Sequence, residues 1–295
     1  MIYLNSLKFD KIYYEKDVLK YPLGKYLFEK YNKTEKIEIL SHNNIESLRK
    51  YENKDFTKLK KYLIIGTRKT HKYVENHKIS DFLVPFTSSG CSAMCMYCYL
   101  VCNYNKCAYL RVFVNTKEIL DKLIKFSNNS SKEYVFEIGS NSDLLLENLV
   151  TEDLHKNIEY FLKNTNKGIL TFPTKFDLIE PLLNISDKSR IIPRMSLNPS
   201  RIITNVEFKT SNLNNRLNAI NKLVDAGYMP YILIAPVIIT DNFKEDYKNL
   251  ILTMKENLND KAKNNITFEI ISLLPIFHRR IFPRYPDYDS ICTSL

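Results

Sequence analysis

The chain has 295 residues, 44% of them hydrophobic and 26% charged, with a formal net charge of +10. That balance suits one large α/β barrel or two ordinary domains and argues against a disordered chain. No run of about 18 apolar residues occurs, so no membrane span is expected, and Met1 to Phe9 lacks the basic-then-apolar pattern of an export signal. The positive charge favours a polyanionic partner such as nucleic acid, although a lysine- and asparagine-rich composition would by itself give the same sign.

The first 80 residues read as a small mixed α/β segment. Tyr21 to Tyr31 is a helix candidate with Pro22 near its start, Lys36 to Leu40 and Tyr62 to Thr67 are strand candidates, and Asn43 to Lys61 is charged with poor periodicity. From Phe82 onward strand and helix signals alternate. Apolar runs at Leu110–Val114, Tyr134–Ile138, Ile169–Phe172, Ile191–Ser196, Tyr231–Ile239 and Ile266–Leu274 are separated by helical patterns. Those patterns cover Lys117–Phe126, Thr151–Leu162, Phe176–Leu183, Leu213–Ala226 and Phe243–Leu258, with Pro181 a weak point in the third. Such alternation predicts a parallel sheet with helices outside. The fold expected is a partial (β/α)6 barrel over residues 81–275, carrying its function at the carboxyl ends of the strands, with residues 276–295 a short, truncated tail.

Five of six cysteines, Cys91, Cys95, Cys98, Cys102 and Cys107, fall in one short stretch. A disulfide framework is normally dispersed through a small secreted chain, so the clustering reads as a metal site in a reducing cytoplasm. Cys91, Cys95 and Cys98 have the spacing CxxxCxxC. Three thiolates so placed hold three irons of a [4Fe–4S] cubane and leave the fourth open. An open iron can bind the amino and carboxylate groups of S-adenosylmethionine (SAM) and reduce its sulfonium, which is the radical SAM chemistry. A zinc site completed by Cys102 or Cys107 is the alternative.

Around this loop the chain resembles the spore photoproduct lyase family. The resemblance rests on Tyr21-Pro22-Leu23-Gly24, Ile64-Ile65-Gly66-Thr67-Arg68-Lys69-Thr70, Tyr97-Cys98-Tyr99-Leu100, Tyr109-Leu110-Arg111, Phe136-Glu137, Ser142-Asp143 and Thr174-Lys175. It continues through Ser196 with Asn198, Thr210-Ser211 with Arg216, Ala226-Gly227-Tyr228, Ala235-Pro236, Phe268-Glu269 and Arg284-Tyr285-Pro286. The resemblance implies a DNA repair lyase that returns 5-thyminyl-5,6-dihydrothymine to two thymines by means of a 5′-deoxyadenosyl radical. It implies a [4Fe–4S] cluster on Cys91, Cys95 and Cys98, and SAM contacts from Tyr99, Ser142, Lys175, Ser196 and the backbone at Ala235. It assigns Tyr97 and Tyr99 to radical relay. It implies DNA carrying a UV thymine lesion as substrate, a ferredoxin or flavodoxin as electron donor, and the cytoplasm of a spore as location. Basic residues available for DNA are Arg68, Lys69, Arg111, Arg279, Arg280 and Arg284.

Two positions depart from the family pattern. The hydrogen-donating cysteine of the family falls here on Ser140. A serine O–H bond is too strong to give its hydrogen to a carbon radical, so Cys102 or Cys107 is the replacement thiol expected. The basic hairpin that the family carries near its C-terminus has no counterpart before Leu295. Two rival readings follow: a diverged radical SAM enzyme on another substrate, or a non-catalytic, cluster-bearing nucleic-acid-binding protein.

Overall fold

The computed structural model describes residues 7–52, 55–98, 100 and 109–272. Tyr99, Cys102, Cys107, Arg279, Arg280, Arg284 and Cys292 lie outside the described residues. None of the helices in the described part is long and apolar enough to cross a membrane.

In chain order the strands are β1 (Lys11–Glu15), β2 (Glu35–Ile39), β3 (Tyr62–Gly66), β4 (Val74–Glu75), β5 (Phe82–Leu83), β6 (Ser88–Ser89) and β7 (Met94–Cys95). After them come β8 (Leu110–Phe113), β9 (Val135–Glu137), β10 (Ile169–Thr174), β11 (Ile191–Ser196), β12 (Glu207–Phe208), β13 (Tyr231–Val237) and β14 (Thr267–Ser272). They form a five-stranded sheet of order β2-β1-β3-β8-β6, a seven-stranded sheet of order β14-β13-β11-β10-β9-β5-β4, and the two-stranded ribbon β12-β7.

In the larger sheet β5, β9, β10, β11, β13 and β14 are parallel neighbours, with β4 antiparallel at the edge. Six parallel strands joined by helices make the partial (β/α)6 barrel expected from the alternation. Phe136, Leu170, Phe172, Met195 and Ile232 are all but fully buried in its core, and the helices Thr116–Asn129, Leu154–Asn164 and Leu213–Asp225 set apolar faces against them.

The first strand of this barrel is Phe82–Leu83. Leu110–Phe113 pairs instead with β3, register Leu63↔Leu110, in the N-terminal sheet, so that sheet draws two strands, β6 and β8, from beyond residue 80. The side chains of the N-terminal sheet alternate between two cores, as a strand's period of two requires. Ile12, Leu63 and Ile65 face the helix Pro22–Lys30, while Tyr13, Tyr62 and Ile64 face the short helices Glu46–Arg49 and Phe56–Leu59.

Three further differences are local, and two of them have a clear cause. The pattern from Phe176 to Leu183 is helical only over Glu180–Leu183, because Pro181 fits a first turn and no other. Leu144–Thr151 is a separate helix, capped by Asp143 Oδ1, which accepts from Leu146 N at 3.3 Å. It ends at Glu152 in the left-handed region, so Thr151 closes one helix and does not open the next. Ser200–Val206 forms a further helix absent from the sequence expectations.

Candidate active site

The cysteine loop hangs between the two sheets. β6 pairs antiparallel with β8, and Gly90 follows with φ +84°, a conformation that L side chains rarely adopt. A Cβ at this position would lie 2.0 Å from the carbonyl oxygen of Tyr109. Gly90 N donates to Asn141 O at 2.6 Å, which ties the loop to the segment after β9. Downstream, β7 pairs with β12 in the register Glu207↔Cys95, and Met96 N donates to Val206 O at 2.9 Å.

Cys91, Cys95 and Cys98 all line one cavity of about 470 Å³. Its walls include Ser142, Lys175, Ser196 and Ala235, from the carboxyl ends of β9, β10 and β11 and from within β13. Parallel α/β folds bind their ligands at that edge. Ser140 lines the cavity as well, as do Glu137, Arg194 and Glu269, in which Arg194 bridges the two carboxylates at 2.8 and 2.7 Å.

The electrostatic centre of the site is Glu207, which the sequence did not single out. It is 1% exposed. Its Oε1 accepts from Tyr97 OH, from Lys175 Nζ at 3.1 Å and from Asn198 Nδ2 at 2.8 Å. Its Oε2 accepts from Arg216 Nη2 at 2.7 Å. Burial pushes the carboxyl up, but the Lys175 and Arg216 charges outweigh it and hold the group far below the usual carboxylate range. Tyr97 moves the other way: burial first, then the Glu207 charge, keeps its phenol protonated.

Lys175 is drawn into this network. Its three donors go to Ser196 Oγ at 2.6 Å, Ala235 O at 3.0 Å and Glu207 Oε1 at 3.1 Å. The ammonium that the resemblance assigns to SAM is thus already paired. The Ser142 hydroxyl, by contrast, is buried without a hydrogen-bond partner in the cavity wall. A buried hydroxyl left so is a place for a ligand group. Next to it Asp143 is committed to structure, accepting from Thr174 Oγ1 at 3.0 Å and Lys175 N at 2.9 Å.

The donor set suits a cluster. Burial pushes the Cys91 thiol up to about 12 and the Cys95 thiol further, so both need a strong Lewis acid to ionise. Among the described residues no three Cys, His, Asp or Glu side chains converge as ligands of a single ion. In a cubane each thiolate binds a different iron, so its ligands stand wider apart than those of one tetrahedral ion.

Arg68, Lys69 and Arg111 do not face this cavity. They gather at a second one, of about 440 Å³, behind the wall formed by Ser89 and Asn141.

The comparisons agree with one another. The family model described as spore photoproduct lyase matches residues 7–287. The chain belongs to the spore photoproduct lyase family. The Bacillus subtilis spore photoproduct lyase is 33% identical over 264 residues, which cover 88% of this chain and 77% of the relative. The Clostridium acetobutylicum spore photoproduct lyase is 30% identical over 267 residues, covering 90% and 78%. A solved structure of a spore photoproduct lyase mutant with bound AdoMet and dinucleoside spore photoproduct superposes with a TM-score of 0.87 at 29% identity, covering 96% of this chain and 84% of that one. Another spore photoproduct lyase, complexed with dinucleoside spore photoproduct, gives 0.86 at 29% identity over 95% and 84%.

Proposed function

We propose that this member of the family is a radical SAM DNA repair lyase that cleaves the spore photoproduct to two thymines. Cys91, Cys95 and Cys98 would hold the [4Fe–4S] cluster, with SAM beside it. The observation that carries this reading is the convergence of the three cysteines and the unpartnered Ser142 hydroxyl on one cavity at the carboxyl ends of parallel strands. The relatives bound to AdoMet and to dinucleoside spore photoproduct support it.

When bound, cluster and SAM supply a hydrogen-abstracting radical; the chain supplies everything around it. Ser142 offers a hydroxyl to the polar groups of SAM. Lys175 holds Ser196 and the Ala235 carbonyl at fixed positions, so the wall around the adenosyl group is set before binding. Tyr97 presents a phenol already hydrogen-bonded to the carboxylate of Glu207. A phenol so placed can give up an electron while its proton moves to the carboxylate, which suits the relay role. Tyr99 would act with it. The chain would take its electrons from a ferredoxin or flavodoxin in the spore cytoplasm. Arg68, Lys69 and Arg111, with Arg279, Arg280 and Arg284, are the basic residues for DNA.

The final hydrogen transfer needs a donor with a weak bond, and Ser140 lines the cavity with a strong one. Cys102 is the thiol proposed to close the reaction. The same serine favours a second reading, a radical SAM enzyme on another substrate. Anaerobic reconstitution decides between them. The proposal expects SAM cleavage to 5′-deoxyadenosine that dinucleoside spore photoproduct stimulates and that yields thymine. Loss of the cluster's visible absorption in Cys95→Ala checks the ligand set. Cleavage indifferent to the lesion would select the second reading, and no cleavage at all would leave a non-catalytic binding protein.

A further inference from the structure

The N-terminal sheet has a topological switch point. The chain leaves β1 to one side to build β2, then returns past β1 to build β3 on the other. Connections therefore diverge above the carboxyl ends of β1 and β3. In open α/β sheets the crevice at such a point is where ligands bind. The cavity of about 440 Å³ opens there, between Glu15 at the end of β1, the residues after β2 and β3, and Arg111 of β8.

Its chemistry is that of an anion site. Arg68, Lys69 and Arg111 line it against one acid, Glu15, an excess of two positive charges. Glu15 is already engaged: it accepts from His42 N at 2.9 Å, His42 Nδ1 at 2.8 Å, Thr67 N at 2.9 Å and Thr67 Oγ1 at 3.2 Å. The Arg68 guanidinium lies 4.1 Å from the centre of the Phe113 ring. Its backbone is clamped on both sides by the Asn115 side chain, at 2.8 and 2.9 Å, so the cation is held in place before any ligand arrives. Ser89, 3% exposed and in the cavity wall, carries a hydroxyl with no hydrogen-bond partner.

We propose that this cavity is a second binding site, for a phosphoryl group, held by Arg68, Lys69, Arg111 and the Ser89 hydroxyl. Guanidinium forks and hydroxyls are the groups that match phosphate oxygens. The site stands back to back with the cysteine cavity. Ser89 and Asn141 face the phosphoryl side, Cys91, Ser140 and Ser142 the other, and the Gly90 N to Asn141 O bond joins the wall between them. A phosphoryl group here braces the strand from which Cys91 hangs. It comes either from a DNA backbone or from a free nucleotide.

Thermal unfolding of the full chain at fixed ionic strength tests this, with inorganic phosphate replacing chloride and then with three further probes. These are an undamaged thymidine oligonucleotide, its uncharged methylphosphonate counterpart and a nucleoside monophosphate. The expected result is a phosphate-dependent rise in Tm, with affinity about tenfold weaker in Arg111→Gln, the loss of one charge-assisted contact. Lys69→Gln, an exposed position that leaves the fold untouched, should weaken it in the same direction. Protection by the oligonucleotide but not by its methylphosphonate assigns the site to DNA; protection by the monophosphate alone assigns it to a free nucleotide. No protection by any phosphate-bearing probe, or protection unchanged in both variants, overturns the proposal. The readout needs neither cluster nor lesion, so its failure and that of the lyase reading are distinguishable.

Discussion

The ammonium of Lys175 lies 3.1 Å from Oε1 of Glu207, a carboxylate that is itself inaccessible to solvent. Arg216 holds the other oxygen from a position equally buried. A buried carboxylate between two cations is in balance only while all three are present. In this site the balance also fixes Tyr97 and Asn198, so one side chain orients much of the wall facing the cysteines.

Replacing Glu207 by Gln should therefore be among the most damaging single substitutions. It leaves the buried Arg216 and the half-buried Lys175 without their counter-ion, at a cost of about 3–5 kcal/mol. Urea unfolding measures it. Tyr97→Phe removes one hydrogen bond to a charged carboxylate and should cost about 2 kcal/mol while lowering turnover more than SAM affinity. A Glu207→Gln protein as stable as the wild type would remove Glu207 from its central place.

Gly90→Ala tests the loop. The added Cβ meets the Tyr109 carbonyl in a left-handed backbone, and backbone cannot give way as a side-chain tip can. The strand β6 and Cys91 must shift, so iron content after reconstitution should fall well below that of the wild type while far-UV circular dichroism stays native.

Ser140→Cys restores a weak S–H bond in the cavity wall. Reaction with dinucleoside spore photoproduct should then give a larger share of clean thymine than the wild-type chain does, and the share should no longer depend on Cys102. In the wild type, Cys102→Ala should divert product to adducts. Clean repair unaffected by Cys102→Ala, Cys107→Ala and the double variant would exclude both thiols as donors.

Acid stability should carry a signature of Glu15. Burial pushes its carboxyl up, but the His42 and Thr67 hydrogen bonds prevail and hold it at about 2, against an ordinary value of 4.5. A group depressed in the folded state stabilises above its unfolded value, and that contribution is lost as pH falls from about 4.5 toward 2. Wild type and Glu15→Gln should differ by about 3 kcal/mol near neutral pH and converge only as the pH nears about 2. Parallel pH profiles in urea unfolding would contradict this.

What the sequence revealed follows from the range of the interactions involved. Ile169–Phe172 and the start of Ile191–Ser196 are legible as strands because burial on both faces selects apolar, β-branched residues. That Cys91, Cys95 and Cys98 share one cavity was legible because their spacing is local. Leu110–Phe113 looks like a barrel strand because its own residues carry no mark of which parallel sheet they join. Phe82–Leu83, two residues long, has no period to detect. Glu207 is hidden for a different reason: an acid between Val206 and Phe208 looks like a surface residue until Lys175, 32 residues away, and Arg216, nine residues away, are folded against it. The matching arginine at 216 was the available hint, since an arginine buried in a helix requires an acid.

The ribbon joining Met94–Cys95 to Glu207–Phe208 is only two residues wide. Side chains on a strand change face with every step, so a slip of one residue would turn Cys95 away from the cavity it shares with Cys91 and Cys98, and Glu207 away from Lys175, together. Cluster loading and the charge balance of the pocket thus report on a single alignment. A chain that misassembles there cannot retain half a site, and on the proposed ligand set iron content by itself would measure correct folding.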